Sequence, residues 1–192
     1  MRRAIFLDRE GVINEDIGLV YRMADVHVLP GTRESLQSLK EKGYLLVVIT
    51  NQPVVARGLI SEEGVKEIHE MINKIAGGFI DKFYFCPHHP EMHPDVPERA
   101  KKYRITCLCR KPAPGMLLQA AQEFNIDLAN SWMIGDMVTD VAAGKAASCK
   151  TILIRSESNK RIISFAGSAT ISTKPDFYAE SLPDAVQIII QN

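Results

Sequence analysis

Apolar residues in this chain gather in short runs separated by stretches with helical spacing, and the alternation continues from one end to the other. Ala4 to Leu7 reads as a first strand, followed by Pro30-Gly31 and a helix from about Thr32 to Lys42 that Gly43 stops. Tyr44 to Ile49 reads as a buried strand ending in Thr50-Asn51. Ser61 then caps a helix whose Val65, Ile68, Ile72 and Ile75 recur at helical period, and Gly77-Gly78 end it. Phe79 to Phe85 is a third strand that runs into Cys86, and Pro87 to Lys111 is a loop with no apolar period of its own. Pro114 to Phe124 reads as helix, Trp132 to Ile134 as a strand ending in Gly135-Asp136, Thr139 to Ala147 as helix and Thr151 to Ile154 as a fifth strand. A polar surface connection, Arg155 to Lys174, leads to a last helix from Pro183 to Ile190. Strands alternating with helices in this way predict an α/β fold, a three-layer sandwich around a parallel sheet.

With 192 residues, 46% hydrophobic and 24% charged, the chain is expected to form one globular domain, residues 1–192, with a sizeable core. Its 23 basic and 23 acidic residues cancel, so no global field draws it to nucleic acid or to an anionic membrane. Any anion must be held locally. The run Ala4 to Leu7 is too short for a secretory signal, and Tyr44 to Ile49 falls far short of a membrane span. The expectation is a cytoplasmic monomer with no membrane or nucleic-acid partner.

Polar residues stand where the strands end: Asp8, Thr50-Asn51, the Cys86 loop leading to Arg110-Lys111, and Asp136. In open parallel sheets the ligand crevice lies at the carboxyl ends of the strands, so these groups are placed to converge. Residues two apart on extended chain share a side, so Asp8 and Glu10 are expected to face one site while Arg9 points away. Two carboxylates on one side repel unless a cation joins them, and Asp136 adds a third acid that Asp140 could buttress from one helical turn later. Hard oxygen ligands with room for water describe Mg²⁺. Thr50 can donate to a phosphate oxygen, and Arg110 and Lys111 can neutralise it. No Gly-x-x-x-x-Gly-Lys-Ser/Thr sequence occurs, which disfavours a P-loop nucleotide site. Aspartate is also common as a plain turn residue at strand ends. The combination of Asp8, Thr50, Lys111 and Asp136 is what points to a site for phosphoryl transfer to Asp8.

Three of the four cysteines fall in a His-containing segment, as Cys86-x-His88 and Cys107-x-Cys109. Three thiolates and an imidazole suit tetrahedral Zn²⁺ in a closed structural site, and a loop without its own core gains most from such a staple. His89 and His93 are alternatives to His88. His27, His69 and Cys149 read as structural or surface residues with no assigned chemistry.

The stretches FLDREGVIN, Ile49-Thr50-Asn51, Lys111 and IGDMVTD resemble the four motifs of the haloacid dehalogenase superfamily of phosphotransferases. Within it, TNQPVVARG, CPHHPE and CLCRKPAPGM resemble the D-glycero-D-manno-heptose 1,7-bisphosphate phosphatases. The resemblance runs from Ala4 to about Ile154. It implies a Rossmann-like core without a large cap domain and the same four zinc ligands. Asp8 would be the nucleophile, forming an aspartyl-phosphate, and Mg²⁺ would be bound by Asp8, Asp136 and the backbone carbonyl of Glu10. Thr50, Asn51 and Lys111 would hold the phosphate, Arg110 would contact the substrate, and the acid at position 10 would act as general acid and then base. The substrate implied is a heptose bisphosphate, dephosphorylated at C7 on the route to nucleotide-activated heptose. The nearest enzymatic alternative is a histidinol-phosphate phosphatase.

Two positions depart from the family pattern. Where the family has Asp-x-Asp this chain has Asp8-Arg9-Glu10, which adds a methylene at the acid/base position and motivates a second alternative, a catalytically impaired phosphosugar binder. Pro53-Val54 replaces smaller residues and stiffens a loop near the substrate.

Overall fold

The computed structural model describes residues 1–90, 96–155 and 173–192. Its six strands are β1 (Ala4–Leu7), β2 (Leu45–Asn51), β3 (Lys82–Cys86), β4 (Trp132–Gly135), β5 (Lys150–Ile154) and β6 (Phe177–Ala179). All pair in parallel in one sheet, in the order β3-β2-β1-β4-β5-β6. The order reverses between β1 and β4, and that switch point opens a crevice at the strands' carboxyl ends.

The two faces of the sheet are both buried, as parallel strands require. Ile5 and Leu7 of β1 join a core with Leu36 and Leu39 of α1 (Thr32–Glu41), Ile68 and Ile72 of α3 (Glu62–Ile75), and Ala185 and Ile189 of α7 (Leu182–Gln191). Ala4 and Phe6 face the other way, onto Met116, Leu117 and Ala120 of α5 (Gly115–Phe124) and Ala143 of α6 (Val138–Ala146). This three-layer sandwich is the expected fold.

The expected elements recur with shifted ends. Ser61 Oγ accepts from the Gly64 N–H at 3.1 Å, the N-cap of α3. The helix does not use Ile75 for the core: Ile75 is 46% exposed, and His69 is the buried residue on that face instead. β3 begins at Lys82 rather than Phe79, because Gly77 and Gly78 hold φ of 94° and 77° and the Asp81 carboxylate accepts from Leu46 N–H before pairing starts. Thr50 and Asn51 lie within β2 rather than after it.

Three short elements carry too little periodic signal to read from sequence: α2 (Pro53–Ala56), α4 (Glu98–Lys101) and edge strand β6. The segment after Pro53 is thus a helical turn with proline at its first position, where the missing N–H is not needed. Most of the polar connection from Arg155 to Lys174 lies outside the described residues, as does His93. Among the described residues no helix is long and apolar enough to cross a membrane.

Candidate active site

The Asp8 N–H donates to Ile134 O at 2.9 Å, so the chain leaving β1 runs beside the end of β4 before it turns. The turn is made by Gly11, with φ 73°. A Cβ there would lie 2.3 Å from Asp136 Oδ2, so only glycine lets the backbone that carries Glu10 press against the Asp136 carboxylate. Gly135 has the same relation to Asp140: a Cβ on it would lie 2.2 Å from Asp140 Cβ.

These approaches bring Asp8, Asp136 and Asp140 together, with one carboxylate oxygen of each within 4.8 Å of the others. All three are buried. Lys111 enters from the loop after β3, and its Nζ lies 2.8 Å from Asp8 Oδ1 and 2.6 Å from Asp140 Oδ1 while donating to Ile49 O at 2.8 Å. Burial, then the charge of Asp140 and more weakly of Glu10 and Asp136, pushes the Asp8 carboxyl well above the usual range against the pull of Lys111. Asp140 and Asp8 in turn hold the Lys111 ammonium above its ordinary range, overcoming the opposite and largest influence, burial. Asp140 is the pivot: Oδ2 accepts from Met137 N–H at 2.9 Å, and Oδ1 meets Lys111. The buttress expected under Asp136 therefore acts on the lysine.

Glu10 lines the same cavity, about 300 Å³ in volume, together with Asp8, Thr50, Asn51, Arg110, Lys111 and Asp136. The Thr50 hydroxyl donates to Glu10 Oε2 at 3.2 Å and accepts from Gln52 Nε2 at 2.8 Å, and Gln52 Nε2 also lies 3.2 Å from both Glu10 oxygens. Arg9 lies beneath them. It points away from the cavity as expected, but into the protein: its side chain is wholly buried, and Nη2 donates back to Glu10 Oε1. Asn51 gives both ends of its amide to the Lys111 backbone, Oδ1 accepting from N–H at 3.0 Å and Nδ2 donating to the carbonyl at 3.1 Å. The structure thus gives Asn51 a hold on the loop that delivers the lysine, a contact that sequence did not suggest. Sequence reasoning also missed Gln52, although its i, i+2 spacing from Thr50 was a usable signal.

The ligand-rich loop is tied to this cavity. Cys86, His88, Cys107 and Cys109 place one donor atom each within 4.8 Å of the others. The sulfurs lie 3.2, 3.3 and 3.5 Å apart, and His88 Nδ1 is 3.3 Å from Cys109 Sγ and 3.6 Å from Cys86 Sγ. Thiolates at about 2.3 Å from zinc sit roughly 3.8 Å apart in a tetrahedron, so this cluster fits the ion with slight expansion. Cys86 pairs in register with Asn51, and Arg110 Nη1 donates to His88 O at 3.2 Å. Cys149 is buried apart from the cluster, its thiol pushed up to about 12 by burial.

Comparison with known proteins identifies relatives of the chain. A model of the HAD-hydrolase-like family matches residues 108–185. The D-glycero-beta-D-manno-heptose-1,7-bisphosphate 7-phosphatase of Pasteurella multocida is 45% identical over 159 residues, 81% of this chain and 83% of that protein. The chain belongs to this phosphatase family. The enzyme of the same name from Haemophilus ducreyi is 37% identical over 193 residues, covering 98% of each chain. Among solved structures, the D,D-heptose 1,7-bisphosphate phosphatase from B. bronchiseptica, complexed with magnesium and phosphate, superposes with a TM-score of 0.79 at 27% identity, over 98% of each chain. Family membership makes the chain a phosphatase with the haloacid dehalogenase fold.

Proposed function

We propose that this phosphatase is a Mg²⁺-dependent phosphomonoesterase that removes the C7 phosphate of D-glycero-D-manno-heptose 1,7-bisphosphate in nucleotide-activated heptose synthesis. The observation that carries the reading is the buried Asp8–Lys111–Asp140 constellation facing Asp136 and Glu10 in a cavity of sugar-phosphate size. The names of the relatives supply the substrate.

Asp8, Asp136 and the backbone carbonyl of Glu10 would hold Mg²⁺, with Asp140 in support. The acids crowd without enough local positive charge, which suits a divalent cation. Bound there, the ion supplies charge neutralisation for the phosphoryl oxygens. Asp8 attacks phosphorus as the bond to the sugar oxygen breaks, giving an aspartyl-phosphate. The Glu10 carboxyl donates its proton to the departing oxygen, and as carboxylate it then takes a proton from the water that releases phosphate. Thr50 and Lys111 hold the transferring group, Asn51 keeps Lys111 in place, and Arg110 reaches the substrate. Cys86, His88, Cys107 and Cys109 would hold a structural Zn²⁺ that fixes the loop behind Arg110 and Lys111.

A slow, binding-dominated protein is the second reading, favoured by the Glu10 carboxylate lying against Thr50 and Gln52. Phosphate release from a panel of heptose bisphosphate, histidinol phosphate and other sugar phosphates, with Mg²⁺ added and withheld, tests both. Selective, Mg²⁺-dependent release from the heptose substrate is expected. Preference for histidinol phosphate overturns the substrate, and tight binding without turnover overturns the activity.

A further inference from the structure

Arg9 is an arginine with no solvent exposure, buried directly behind the acid/base position. Burying a guanidinium is unfavourable unless an anion compensates it. Its Nη2 donates to Glu10 Oε1, whereas Nε and Nη1 have no hydrogen-bond partner among the described residues. The backbone fixes the residue from both sides: Arg9 N–H donates to Asp8 Oδ1 at 2.7 Å, and Arg9 O accepts from Ile13 and Asn14 N–H at 2.9 and 3.1 Å. His69 of α3 packs on the same interior, stacked on Phe83 with ring centroids 4.6 Å apart. Burial and then the charge of Arg9 hold the His69 imidazole down to about 3, so it stays neutral and adds no second cation. Glu10 is therefore held between a buried cation below and the Thr50 and Gln52 donors on β2 and just after it.

We propose that Arg9 is a positioning residue for proton transfer: its guanidinium, locked in the interior, sets where the Glu10 carboxylate stands relative to the leaving oxygen. Arg9 touches no substrate and acts only through Glu10. The inference rests on the phosphomonoesterase reading and adds a residue to it. A sugar alkoxide needs a proton to depart, whereas p-nitrophenolate departs without one. Misplacing the acid must therefore slow transfer from the sugar phosphate and spare the aryl phosphate. A residue that merely supported the fold would affect both alike.

The test is kcat/KM for the heptose bisphosphate and for p-nitrophenyl phosphate, in wild type, R9M, R9K, E10Q and R9M/E10Q. R9M is expected to lose about 100-fold on the sugar phosphate, the scale of a misplaced catalytic group, with p-nitrophenyl phosphate essentially unchanged. R9K keeps a charge without the planar fork and is expected to fall between wild type and R9M on the sugar phosphate alone. In the E10Q background R9M should add nothing, because the two act as a unit. Equal loss on both substrates, or full additivity with E10Q, overturns the proposal. If R9M does not fold, R9K decides by the same criterion. If wild type rejects heptose bisphosphate but hydrolyses another sugar phosphate, the substrate reading fails and the Arg9 comparison is made on that compound. A wild type that hydrolyses neither class sinks both readings.

Discussion

The Lys111 ammonium lies 2.8 Å from the Asp8 carboxylate, although the two residues are more than a hundred positions apart in the chain. Lys111 completes a buried cluster in which carboxylates outnumber the cation, and burial and the neighbouring acids oppose the charge of Asp8. Its carboxyl is raised above the unfolded value, so folding favours the protonated form; the associated stability is fully present below the ordinary carboxylate range and is lost as pH rises from there through the raised folded value.

Asp8→Asn should therefore abolish turnover yet stabilise the metal-free protein. Each 1 kcal/mol of relief raises Tm by roughly 2–4 °C for a chain of this size. The rise that Mg²⁺ gives the wild type should vanish in the variant. Melting curves with and without Mg²⁺ check this, and a lower Tm for Asp8→Asn in the absence of metal would contradict the charge assignment.

Shortening Glu10 releases its carboxylate from the contacts it makes with Arg9, Thr50 and Gln52. Glu10→Asp draws the acid away from the contact through which Arg9 places it, and is expected to lower kcat on the sugar phosphate by up to about a hundredfold, the scale of a group moved by about 1 Å. Glu10→Gln should lower it by roughly 10²–10⁴-fold, the usual share of acid/base catalysis. A gain on Glu10→Asp would mean that these contacts hold the longer side chain away from the leaving oxygen.

Gly11→Ala should impair metal use with little disturbance of the core. The new Cβ meets Asp136 Oδ2 at 2.3 Å in a left-handed conformation, φ 73°. The backbone penalty is about 1–2 kcal/mol, and shifting Asp136 should raise the Mg²⁺ concentration for half-maximal activity. A metal titration of activity reads the effect; an unchanged midpoint would show that Asp136 does not hold the ion.

Removing zinc should loosen Arg110 and Lys111. Cys109→Ser is expected to lose stoichiometric zinc by elemental analysis, to melt earlier, and to lose kcat/KM toward the roughly hundredfold scale of a misplaced cation. Full zinc content in the variant would remove Cys109 from the ligand set.

His69 gives a pH signature. Its pKa is about 3 in the fold, against about 6.5 unfolded. Its contribution is fully present above about pH 6.5 and is lost as pH falls from there toward 3, at up to roughly 1.4 kcal/mol per pH unit. Urea denaturation across that window should show a shallower loss for His69→Phe than for wild type. Parallel curves would mean that the imidazole is not held neutral.

Sequence determined the alternating elements, because core-facing strands and amphipathic helices write their periods directly into the chain. It also singled out Asp8, Thr50, Lys111, Asp136 and the Cys86, His88, Cys107 and Cys109 group as candidates, which the fold brings into two clusters, since chemistry of this kind restricts residue type and spacing. It did not determine β6, α2 or α4, which are too short to carry a period and form because neighbouring elements hold them. Nor could it reveal that Asn51 grips the Lys111 backbone, that Asp140 meets Lys111, or that Gln52 and Arg9 converge on Glu10. Apart from the Arg9–Glu10 contact, those relations join residues from different strand ends. They exist only because the parallel sheet reverses its order between β1 and β4 and turns separate segments toward one crevice.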